Sequence, residues 1–587
     1  MRLQRFSILA SLVLLVASTT AVDAITRQPV TAQNGMVVTS QHIASEVGAE
    51  ILRSGGNAVD AAVAVGYALA VVNPCCGNIG GGGFATLHLA DGRDVFLNFR
   101  ETAPGAATET MYLDAAGEVI EGLSLKGYKS VAVPGTVLGL DTLLTKYGTL
   151  PRATVMAPAI RLAEEGFILN DGDAAILAGS AKHFADQPNV AAVFMKDGKT
   201  LAAGDRLIQA NLAATLKQIA DKGPDAFYKG PIADAVVAAS AANGGILSKQ
   251  DFLSYTVTED EPVRCDYRGY ILISAPPPSS GGTAICQILN ILEGYPMREL
   301  GFHSSESIHF MVEAMRHAFV DRNFLLGDPA FVSNPLDRLL SESYAAEIRA
   351  KIDPVKASTS KEVQPGIEPH EARDTTHYSI VDKAGNAVSV TYTINGGFGA
   401  KVIAGDTGFF LNDEMDDFTV KPGVANLFGL VQGKTNAIAP GKRPLSSMSP
   451  TIVTKDGKTY MVLGSPGGSR IITIVVQVFL NVVEHGMTIQ EAVNAPRIHH
   501  QWLPDQVSVE PFALSPDTRV NLEAMGYKIV EQTPWGAAEA ILIGPAQTAE
   551  ESQQSSGNDA MAANRPVPGL LYGGHDDRRP SGAVAGH

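Results

Sequence analysis

The sequence predicts an α+β fold, in which strands and helices lie largely in separate stretches of the chain. Two runs of alternating residues rich in β-formers, 376–382 and 387–394, predict two strands joined by a short turn. Residues 134–330 are mainly helical by the spacing of their apolar side chains. Further strands are predicted at 36–39, 84–89, 94–99 and 267–275.

The predicted hairpin turns between Asp382 and Asn386, so that these two residues face each other. Directly opposed residues of an antiparallel pair point to the same face, which sets Thr375 across from Thr393. Asn395 lies two residues further on and shares that face. The open end of the hairpin would therefore hold two hydroxyls and an amide together. Threonine is common in strands, so the alternative is that these hydroxyls are only structural.

Composition and charge exclude some classes of function. The chain has 587 residues, enough for a large core, with 45% hydrophobic and 18% charged residues, as in ordinary globular proteins. The net charge of −16, without a cluster of Lys and Arg, argues against a nucleic-acid surface. No spacing typical of zinc ligands occurs, so we predict no metal site and no cofactor.

The N-terminal segment has the features of an export signal. Arg2 and Arg5 form a positive start, and an apolar run follows at residues 8–17. We expect residues 1–24 to be removed near Ala24, and the mature chain to be periplasmic or secreted. The apolar run is shorter than about 18 residues, which disfavours a membrane anchor.

All four cysteines lie beyond the predicted signal: Cys75, Cys76, Cys265 and Cys286. Disulfides are possible in an exported protein, with three alternative pairings. A bond between the adjacent Cys75 and Cys76 would be strained, and we expect buried free thiols instead.

The first part of the chain predicts two helices and a glycine-rich loop. The helix at 42–53 is amphipathic, and the helix at 58–72 is apolar almost all round and should be buried. The stretch 73–84, NPCCGNIGGGGF, lets the backbone pass close to another group, or else forms a tight turn between buried layers. Arg100 follows the next strands, and its planar fork can bind a carboxylate, although a single Arg is more often a surface ion-pair partner.

The residues around the hairpin add two features. The polar segment 351–373 predicts a flexible loop directly before Thr375. After the hairpin, an acidic run of Glu414, Asp416 and Asp417 can bind an ammonium or a metal ion. A solvated acidic loop is the alternative for such a run.

Three later stretches carry polar groups or loops suited to a binding site. The Gly-rich segment 422–432 predicts a lid. Ser446 and Ser447 bring paired hydroxyls in the stretch RPLSSMSP. Gly467 and Gly468 follow a predicted strand and precede a helical pattern, a position in which successive N–H groups form an anion-binding nest.

Eight motifs stand in one order along the chain: SGGNAVDAA (54–62), NIGGGGF (78–84), RETAP (100–104), PPPSSGG (276–282), DTTHYS (374–379), NDEMDDF (412–418), PLSSMSP (444–450) and SPGGSR (465–470). Together they resemble the motifs of the gamma-glutamyltranspeptidases, also called glutathione hydrolases. The resemblance runs from roughly Thr39 to Arg579. One of these motifs alone is weak, whereas eight in family order are specific.

The resemblance implies an N-terminal-nucleophile hydrolase fold, a four-layer αββα sandwich with two central β-sheets between helical layers. It also implies that a precursor cuts itself between Asp374 and Thr375. The products would be a large subunit, 25–374, and a small subunit, 375–587, which stay together as a heterodimer because neither alone closes the fold.

The implied chemistry explains why the chain would be cut at a threonine. A Thr hydroxyl is a weak nucleophile and needs an adjacent base. The freed α-amine of Thr375, with an ordinary pKa of about 7.7–8.0, can be that base. The hydroxyl would attack the Asp374 carbonyl first, and later a γ-glutamyl compound such as glutathione. The resulting ester would then pass to water, an amino acid or a dipeptide.

The resemblance also implies a role for each site residue. Thr393 would position the Thr375 hydroxyl across the hairpin. The backbone N–H groups of Gly467 and Gly468 would form the oxyanion hole, and loss of one such donor typically costs about 3 kcal/mol. The residues implied to bind the donor's α-carboxylate are Arg100, Ser446 and Ser447. Those implied to bind its α-ammonium are Asn395, Glu414 and Asp417.

Two positions depart from the family's pattern. Glu414 stands where other members have Gln, and the added negative charge faces an ammonium, so we expect function to be kept. Phe428 stands where the lid often carries Tyr, which puts in doubt a hydrogen bond that closes the lid.

Other functions remain open from the sequence. One is an acylase of the same fold that acts on cephalosporin (glutaryl) side chains, or a poly-γ-glutamate depolymerase. Arg100, Asn395 and Asp417 favour donors with free α-amino and α-carboxyl groups over glutaryl groups, which lack the amine, and the predicted lid at 422–432 disfavours a long polymer. A third class is an unprocessed binding or scaffold protein, and the presence of every catalytic residue type argues against it.

Overall fold

Two antiparallel β-sheets of seven strands each form the centre of the protein. They are seen in a computed structural model that describes residues 27–361, 375–544 and 566–587. Helices cover the outer face of each sheet, which confirms the αββα sandwich implied by the family resemblance. Hydroxyls bridge the two inner faces, since Ser379 donates to the Glu539 carbonyl at 2.9 Å and Ser389 to the Leu463 carbonyl at 3.2 Å.

The spatial order of the strands differs from their order along the chain in both sheets. Across the first sheet, the strands run Val30–Ala32, Leu571–His575, Glu539–Ile543, Lys458–Gly464, Thr451–Lys455, Tyr270–Ser274 and Val263–Tyr267. Across the second sheet, they run Ala583–Gly586, Gly35–Thr39, Thr376–Asp382, Ala387–Thr393, Gly82–His88, Asp94–Phe99 and Thr258–Asp260. In the second sheet, Thr376–Asp382 and Ala387–Thr393 form the predicted hairpin, which we call the central hairpin. Short strands outside these sheets are Phe167–Ile168, Met195–Lys196, Lys199–Thr200, Arg206–Leu207, Ile498–His499, Val507–Val509 and Ile529–Glu531.

Two helical layers enclose the sheets. The helices on the second sheet include His42–Arg53, Ala58–Val72, Thr136–Tyr147, Arg152–Glu165 and Ala210–Lys222. Those on the first sheet include Gly281–Leu292, Ser305–Leu325, Ile471–Val483 and Ile489–Asn494. The other helices are Asp171–Gly179, Ala181–Ala185, Pro188–Phe194, Asp225–Tyr228, Pro231–Ala242, Lys249–Ser254, Met297–Leu300, Leu336–Leu339, Glu342–Arg349 and Pro516–Met525. Short 3-10 turns occur at Tyr128–Ser130, Glu414–Asp417, Lys434–Asn436 and Gly468–Arg470.

Alternation along the strands explains why the second sheet is covered on both faces. Tyr378 and Ile380 pack against the helical layer, whereas Val381 packs in the cluster between the two sheets. The helix Ala58–Val72 is buried along its whole length, as its apolar sequence predicts. Asn57 caps this helix, and the Asp60 side chain completes the capping box.

One predicted strand was wrong in its bounds. The sequence predicts a single strand at 267–275, but the structure has two, Val263–Tyr267 and Tyr270–Ser274. Arg268 and Gly269 form the turn between them, with φ angles of 52° and 84°. Two positive φ angles suit the tight turn of a hairpin.

The expectation of free thiols was also wrong. Cys265 is bonded to Cys286, and Cys75 is bonded to Cys76. Cys265 lies in the strand that the sequence reasoning missed, and Cys286 lies in the helix Gly281–Leu292 that packs on it. Their Cα atoms are 5.7 Å apart, which is the ordinary separation for a disulfide.

Two absences hold for the described part of the chain. None of its helices combines the length and the apolar character needed to cross a membrane. Across residues 27–361, 375–544 and 566–587, no group of three or more His, Cys, Asp or Glu side chains is arranged to hold a metal ion.

Candidate functional site

Thr375 lies at the open end of the central hairpin, directly before its first strand. The register pairs Thr376 with Tyr392, which confirms the predicted pairing and sets Thr375 opposite Thr393. The hydroxyl oxygens of Thr375 and Thr393 are 3.3 Å apart, and both residues are buried. The Thr393 hydroxyl also accepts a 2.9 Å hydrogen bond from the backbone N–H of Asn395. Local strand geometry therefore fixes where the Thr375 hydroxyl lies.

These residues line a cavity of roughly 300 Å³, a volume that includes space open to solvent. Every predicted site residue lines it except Gly467, and Asp374 lies outside the described residues. The predicted residues on its wall are Arg100, Thr375, Thr393, Asn395, Glu414, Asp417, Ser446, Ser447 and Gly468. The cavity thus joins the hydroxyl of a threonine to side chains of both charges.

Arg100 lies just after the strand Asp94–Phe99 and is fully buried. Its guanidinium forms ion pairs with Glu414 and, at 2.5 Å, with Asp417. The Glu101 carboxylate is 3.5 Å from the same guanidinium. Arg100 is therefore not the surface ion-pair partner that a lone arginine usually is, because its fork faces two carboxylates across the cavity.

The acidic run is a buried 3-10 turn, Glu414–Asp417, so the alternative of a solvated loop was wrong. The Asp416 carboxylate fixes this turn by accepting 2.7 Å and 2.8 Å hydrogen bonds from the Ser124 hydroxyl and the Leu427 N–H. Burial raises the pKa of Asp416 to about 6, and it raises the pKa of Glu414 well above its usual range against the pull of Arg100.

The PPPSSGG motif holds Ser446 in place. The Ser446 N–H donates to the Pro278 carbonyl at 2.8 Å. The Ser280 N–H and hydroxyl donate back to the Ser446 carbonyl at 2.8 Å and 2.7 Å. The neighbouring Ser447 hydroxyl accepts a 3.3 Å hydrogen bond from Arg322. Both serines are buried, so their hydroxyls belong to the cavity wall and not to the protein surface.

Gly467 and Gly468 lie between the strand Lys458–Gly464 and the helix Ile471–Val483. Their φ angles of 140° and 55° are in the region that favours glycine. Gly468 lines the cavity with Thr375, whereas Gly467 lines a neighbouring cavity. Neither backbone N–H donates a hydrogen bond to any residue in the described ranges. Such N–H groups are free to receive an anion.

The predicted lid segment, 422–432, closes one side of the cavity through Phe428, which is 6% exposed. A Cβ on Gly468 would lie 2.3 Å from the Phe428 ring, so only glycine fits there. Gln501 donates a 3.1 Å hydrogen bond to the Phe428 carbonyl and accepts a 2.6 Å bond from the Ser469 hydroxyl. Gln501 therefore ties the lid segment to the turn that carries Gly468.

Sequence reasoning assigned no role to Glu101 or Gln501 and did not single out Arg322. Burial raises the pKa of Glu101 to about 7, with Arg100 acting in the opposite direction. Arg322 continues the buried stripe of Met315 and Phe319 at helical spacing, and it lines the cavity. A charged residue at the next position of an apolar stripe was the signal available for it.

The comparisons with known proteins agree with this geometry. The model of the family described as Gamma-glutamyltranspeptidase matches residues 44–564. The chain belongs to the gamma-glutamyltranspeptidase family. It is similar to the glutathione hydrolase proenzyme of Pseudomonas sp. (strain A14), at 57% identity over 96% of each chain. It is also similar to the glutathione hydrolase proenzyme of Escherichia coli (strain K12), at 47% identity over 95% of this chain and 93% of that protein.

Solved structures of the family share the fold. A crystal structure of cephalosporin acylase from Bacillus halodurans matches with a TM-score of 0.80 and 28% identity, covering 98% of this chain and 99% of that one. The acylase is thus more distant in sequence than the two glutathione hydrolases. Seven of the predicted residues on the cavity wall stand in the motifs through which the sequence resembles the family: Arg100, Thr375, Glu414, Asp417, Ser446, Ser447 and Gly468. Thr393 and Asn395 lie outside these motifs.

Proposed function

We propose that this protein is a γ-glutamyltransferase and glutathione hydrolase in which Thr375 is the nucleophile. One observation carries the proposal: Thr375 lines the same cavity as Arg100, Glu414 and Asp417. A hydroxyl beside two arginines and two carboxylates suits a donor that carries both an α-carboxylate and an α-ammonium, as a γ-glutamyl group does. The similarity to glutathione hydrolases supports glutathione and other γ-glutamyl compounds as donors.

Thr375 acts once the bond from Asp374 is cut. The new α-amine takes the hydroxyl proton while Oγ attacks the γ-carbonyl carbon of the donor. The negative oxygen of the tetrahedral intermediate accepts hydrogen bonds from the N–H groups of Gly467 and Gly468. The leaving amine takes the proton from the α-ammonium, and a γ-glutamyl ester remains on Thr375. Water, an amino acid or a dipeptide then attacks the ester. The α-amine of Thr375 takes the proton of the attacking group and returns it to Thr375 Oγ as the γ-glutamyl group leaves.

Different residues bind the two charged groups of the donor. Its α-carboxylate binds Arg100, Ser446 and Ser447. Its α-ammonium binds Asn395, Glu414 and Asp417. In the absence of donor, Arg100 pairs with Glu414 and Asp417. A donor that carries both charges breaks these ion pairs. Its α-carboxylate then pairs with Arg100 and its α-ammonium with Glu414 and Asp417, so no buried charge is left without a partner.

The cut divides the chain into a large subunit, 25–374, and a small subunit, 375–587, after removal of a signal peptide and export. The sheet pairing supports a lasting heterodimer. The strand Gly35–Thr39 pairs with Thr376–Asp382 of the central hairpin, and Gly82–His88 pairs with Ala387–Thr393. Separating the two subunits would expose both sides of the hairpin.

The runner-up activity is removal of glutaryl side chains from cephalosporins. A glutaryl group has the carboxylate but lacks the amine, so it leaves Glu414 and Asp417 without an ammonium partner. Similarity also disfavours it, since the acylase ACY 1 proenzyme of Pseudomonas sp. (strain SE83) is 41% identical to this chain, against 57% for the glutathione hydrolase.

A comparison of two chromogenic donors tests the proposal. We expect γ-glutamyl-4-nitroanilide to be cleaved with a kcat/KM at least about 100-fold above that of glutaryl-4-nitroanilide, since a charge pair that is lost on burial costs several kcal/mol. Thr375→Ala should remove both activities, whereas Thr215→Ala, a buried threonine remote from the cavity, should keep them. A faster glutaryl donor, or a fully active Thr375→Ala protein, would overturn the proposal.

A further inference from the structure

Arg322 is a buried cation on the wall of the Thr375 cavity. It lies near the end of the helix Ser305–Leu325 and is 1% exposed. The proposed reaction gives it no role. Its surroundings differ from those of the other arginine on the same wall, Arg100.

All hydrogen bonds that Arg322 donates go to neutral oxygens. Nε donates to Ser280 Oγ at 3.2 Å, and Nη2 donates to Ser447 Oγ at 3.3 Å. Nη1 donates to Asn323 Oδ1 at 3.1 Å and Gln432 Oε1 at 2.6 Å. Across residues 27–361, 375–544 and 566–587, no carboxylate lies within ion-pair distance of this guanidinium.

An unpaired charge away from water is costly. Burial lowers the pKa of Arg322 to about 10, with the nearby Arg100 adding to the effect and Asp417 opposing it, so the side chain stays protonated near neutral pH. Nη2 carries two hydrogens, and the described structure gives it one acceptor. The remaining N–H and the uncompensated charge both suit an anion that arrives with a ligand.

The neighbours of Arg322 locate that anion. Ser447 is one of the two serines proposed to bind the α-carboxylate, and Ser280 fixes the other by donating to the Ser446 carbonyl at 2.7 Å. Gln432 donates at 3.2 Å to the carbonyl of Asp417, on the ammonium side of the site. The guanidinium therefore contacts the carboxylate side of the cavity directly and its ammonium side through one glutamine.

We propose that Arg322 is a specificity-determining residue whose uncompensated charge, placed beside Ser447, selects donors that carry an α-carboxylate. This inference rests on the proposed γ-glutamyl function. Arg100 is ion-paired with three carboxylates before any donor binds, so its charge is already compensated. Arg322 has no carboxylate within ion-pair distance in the described residues, so a bound α-carboxylate would be its first direct charge partner.

Donors that differ by one charged group test this role. γ-Glutamyl-4-nitroanilide carries both groups, glutaryl-4-nitroanilide carries only the carboxylate, and 4-aminobutyryl-4-nitroanilide carries only the amine. In Arg322→Gln, kcat/KM should fall about 10- to 100-fold for the two donors that carry the carboxylate, the range expected when a hydrogen bond to a charged group is lost. For the 4-aminobutyryl donor, it should change by less than about 3-fold.

Inhibition constants give a second readout that does not depend on turnover of a poor donor. L-Glutamate should inhibit Arg322→Gln about 10- to 100-fold more weakly than wild type, as a competitor of the donor, whereas inhibition by 4-aminobutyrate should be unchanged. Arg322→Lys keeps the charge and should restore part of the lost affinity. Arg497→Lys changes another buried arginine, one that is paired with Asp576, and should leave the ratio between donors unaltered.

The outcomes separate the two proposals. Equal losses for all three donors in Arg322→Gln, with an unchanged ratio of inhibition constants, would show a purely structural role and overturn this inference. If Arg322→Gln does not fold, Arg322→Met, which also removes the charge, gives the same comparison, and an unchanged donor ratio in it has the same meaning. A wild-type protein without γ-glutamyl activity would instead refute the proposed function, and this inference with it.

Discussion

The hydroxyl of Thr393 lies 3.3 Å from the hydroxyl of Thr375 across the central hairpin. Because the hairpin register fixes this distance, Thr393→Val should leave the fold intact and misplace the attacking oxygen. We expect kcat/KM for γ-glutamyl-4-nitroanilide to fall roughly 10- to 100-fold, as for small displacements of a reacting group. Thr215→Val, which also removes a buried hydroxyl, is the matched control and should keep full activity. Equal activity of the two variants would show that Thr393 does not position the nucleophile.

Gln501 links the lid segment to the turn at Gly468, so its loss should affect catalysis more than stability. In Gln501→Leu, the Phe428 carbonyl and the Ser469 hydroxyl lose their partner. The 2.8 Å bond between Gln501 Oε1 and His499 Nε2 is lost as well. We expect kcat/KM to fall about tenfold or more, since three hydrogen bonds worth about 1 kcal/mol each are removed. Gln477→Leu is the control, because among the residues that the structure describes that glutamine bonds only the backbone of Thr473 and Ile498. It should lower the urea midpoint with unchanged kcat/KM.

Asp413 should make the stability of the protein depend on pH. Burial raises its pKa from 3.8 to about 7, with Lys401 and the Gly396 N–H acting in the opposite direction. Below about pH 4 the carboxyl is protonated in both folded and unfolded chains, and its contribution is fully present. Between about pH 4 and 7 only the unfolded chain ionises, so stability is lost as pH rises.

Asp413→Asn removes this titration. The free energy of unfolding of wild type, relative to the Asn variant, should fall by on the order of 1–4 kcal/mol between pH 4 and 7 and then stay level. Urea unfolding at several pH values measures it. A difference between the two proteins that does not change with pH would contradict the expected titration.

The bond between Cys265 and Cys286 closes a loop with a sequence separation of 21. Without the bond, this part of the unfolded chain is no longer held in a loop. The free energy of unfolding is then expected to fall by about 3 kcal/mol. We expect Cys286→Ala to lower the urea midpoint accordingly and to change kcat/KM by less than about twofold, because the bond lies in the first sheet and its helix. Free thiols in the denatured, unreduced wild-type protein would show that the bonds are absent.

The hairpin register could be predicted because it depends on local rules. Two alternating runs and a short turn between Asp382 and Asn386 are enough to place Thr375 opposite Thr393. The boundaries of the strand that contains Cys265 were harder to predict, because Arg268 and Gly269 indicate a turn less clearly than the residues between Asp382 and Asn386 do. Missing that strand also hid the partner of Cys286.

The charged part of the site could not be assembled from local patterns. Arg100 and Asp417 are far apart in sequence and meet only through the tertiary fold. The family resemblance placed both in one site, but their ion pair with each other was not predicted. The same holds for the burial of the acidic turn, since an acidic run is usually solvated. Arg322 was missed although it continues the apolar stripe of Met315 and Phe319, because an arginine near the end of a helix is usually a surface residue.

The central claim is that a cut before Thr375 creates the nucleophile, and intact-mass spectrometry tests it most directly. Purified wild-type protein should consist of two fragments, the smaller beginning at Thr375. After rapid acid quenching with a γ-glutamyl donor, the peptide that begins with Thr375 should gain the mass of one γ-glutamyl group. An uncut chain with full γ-glutamyl activity, or a γ-glutamyl group attached to another residue, would contradict the account.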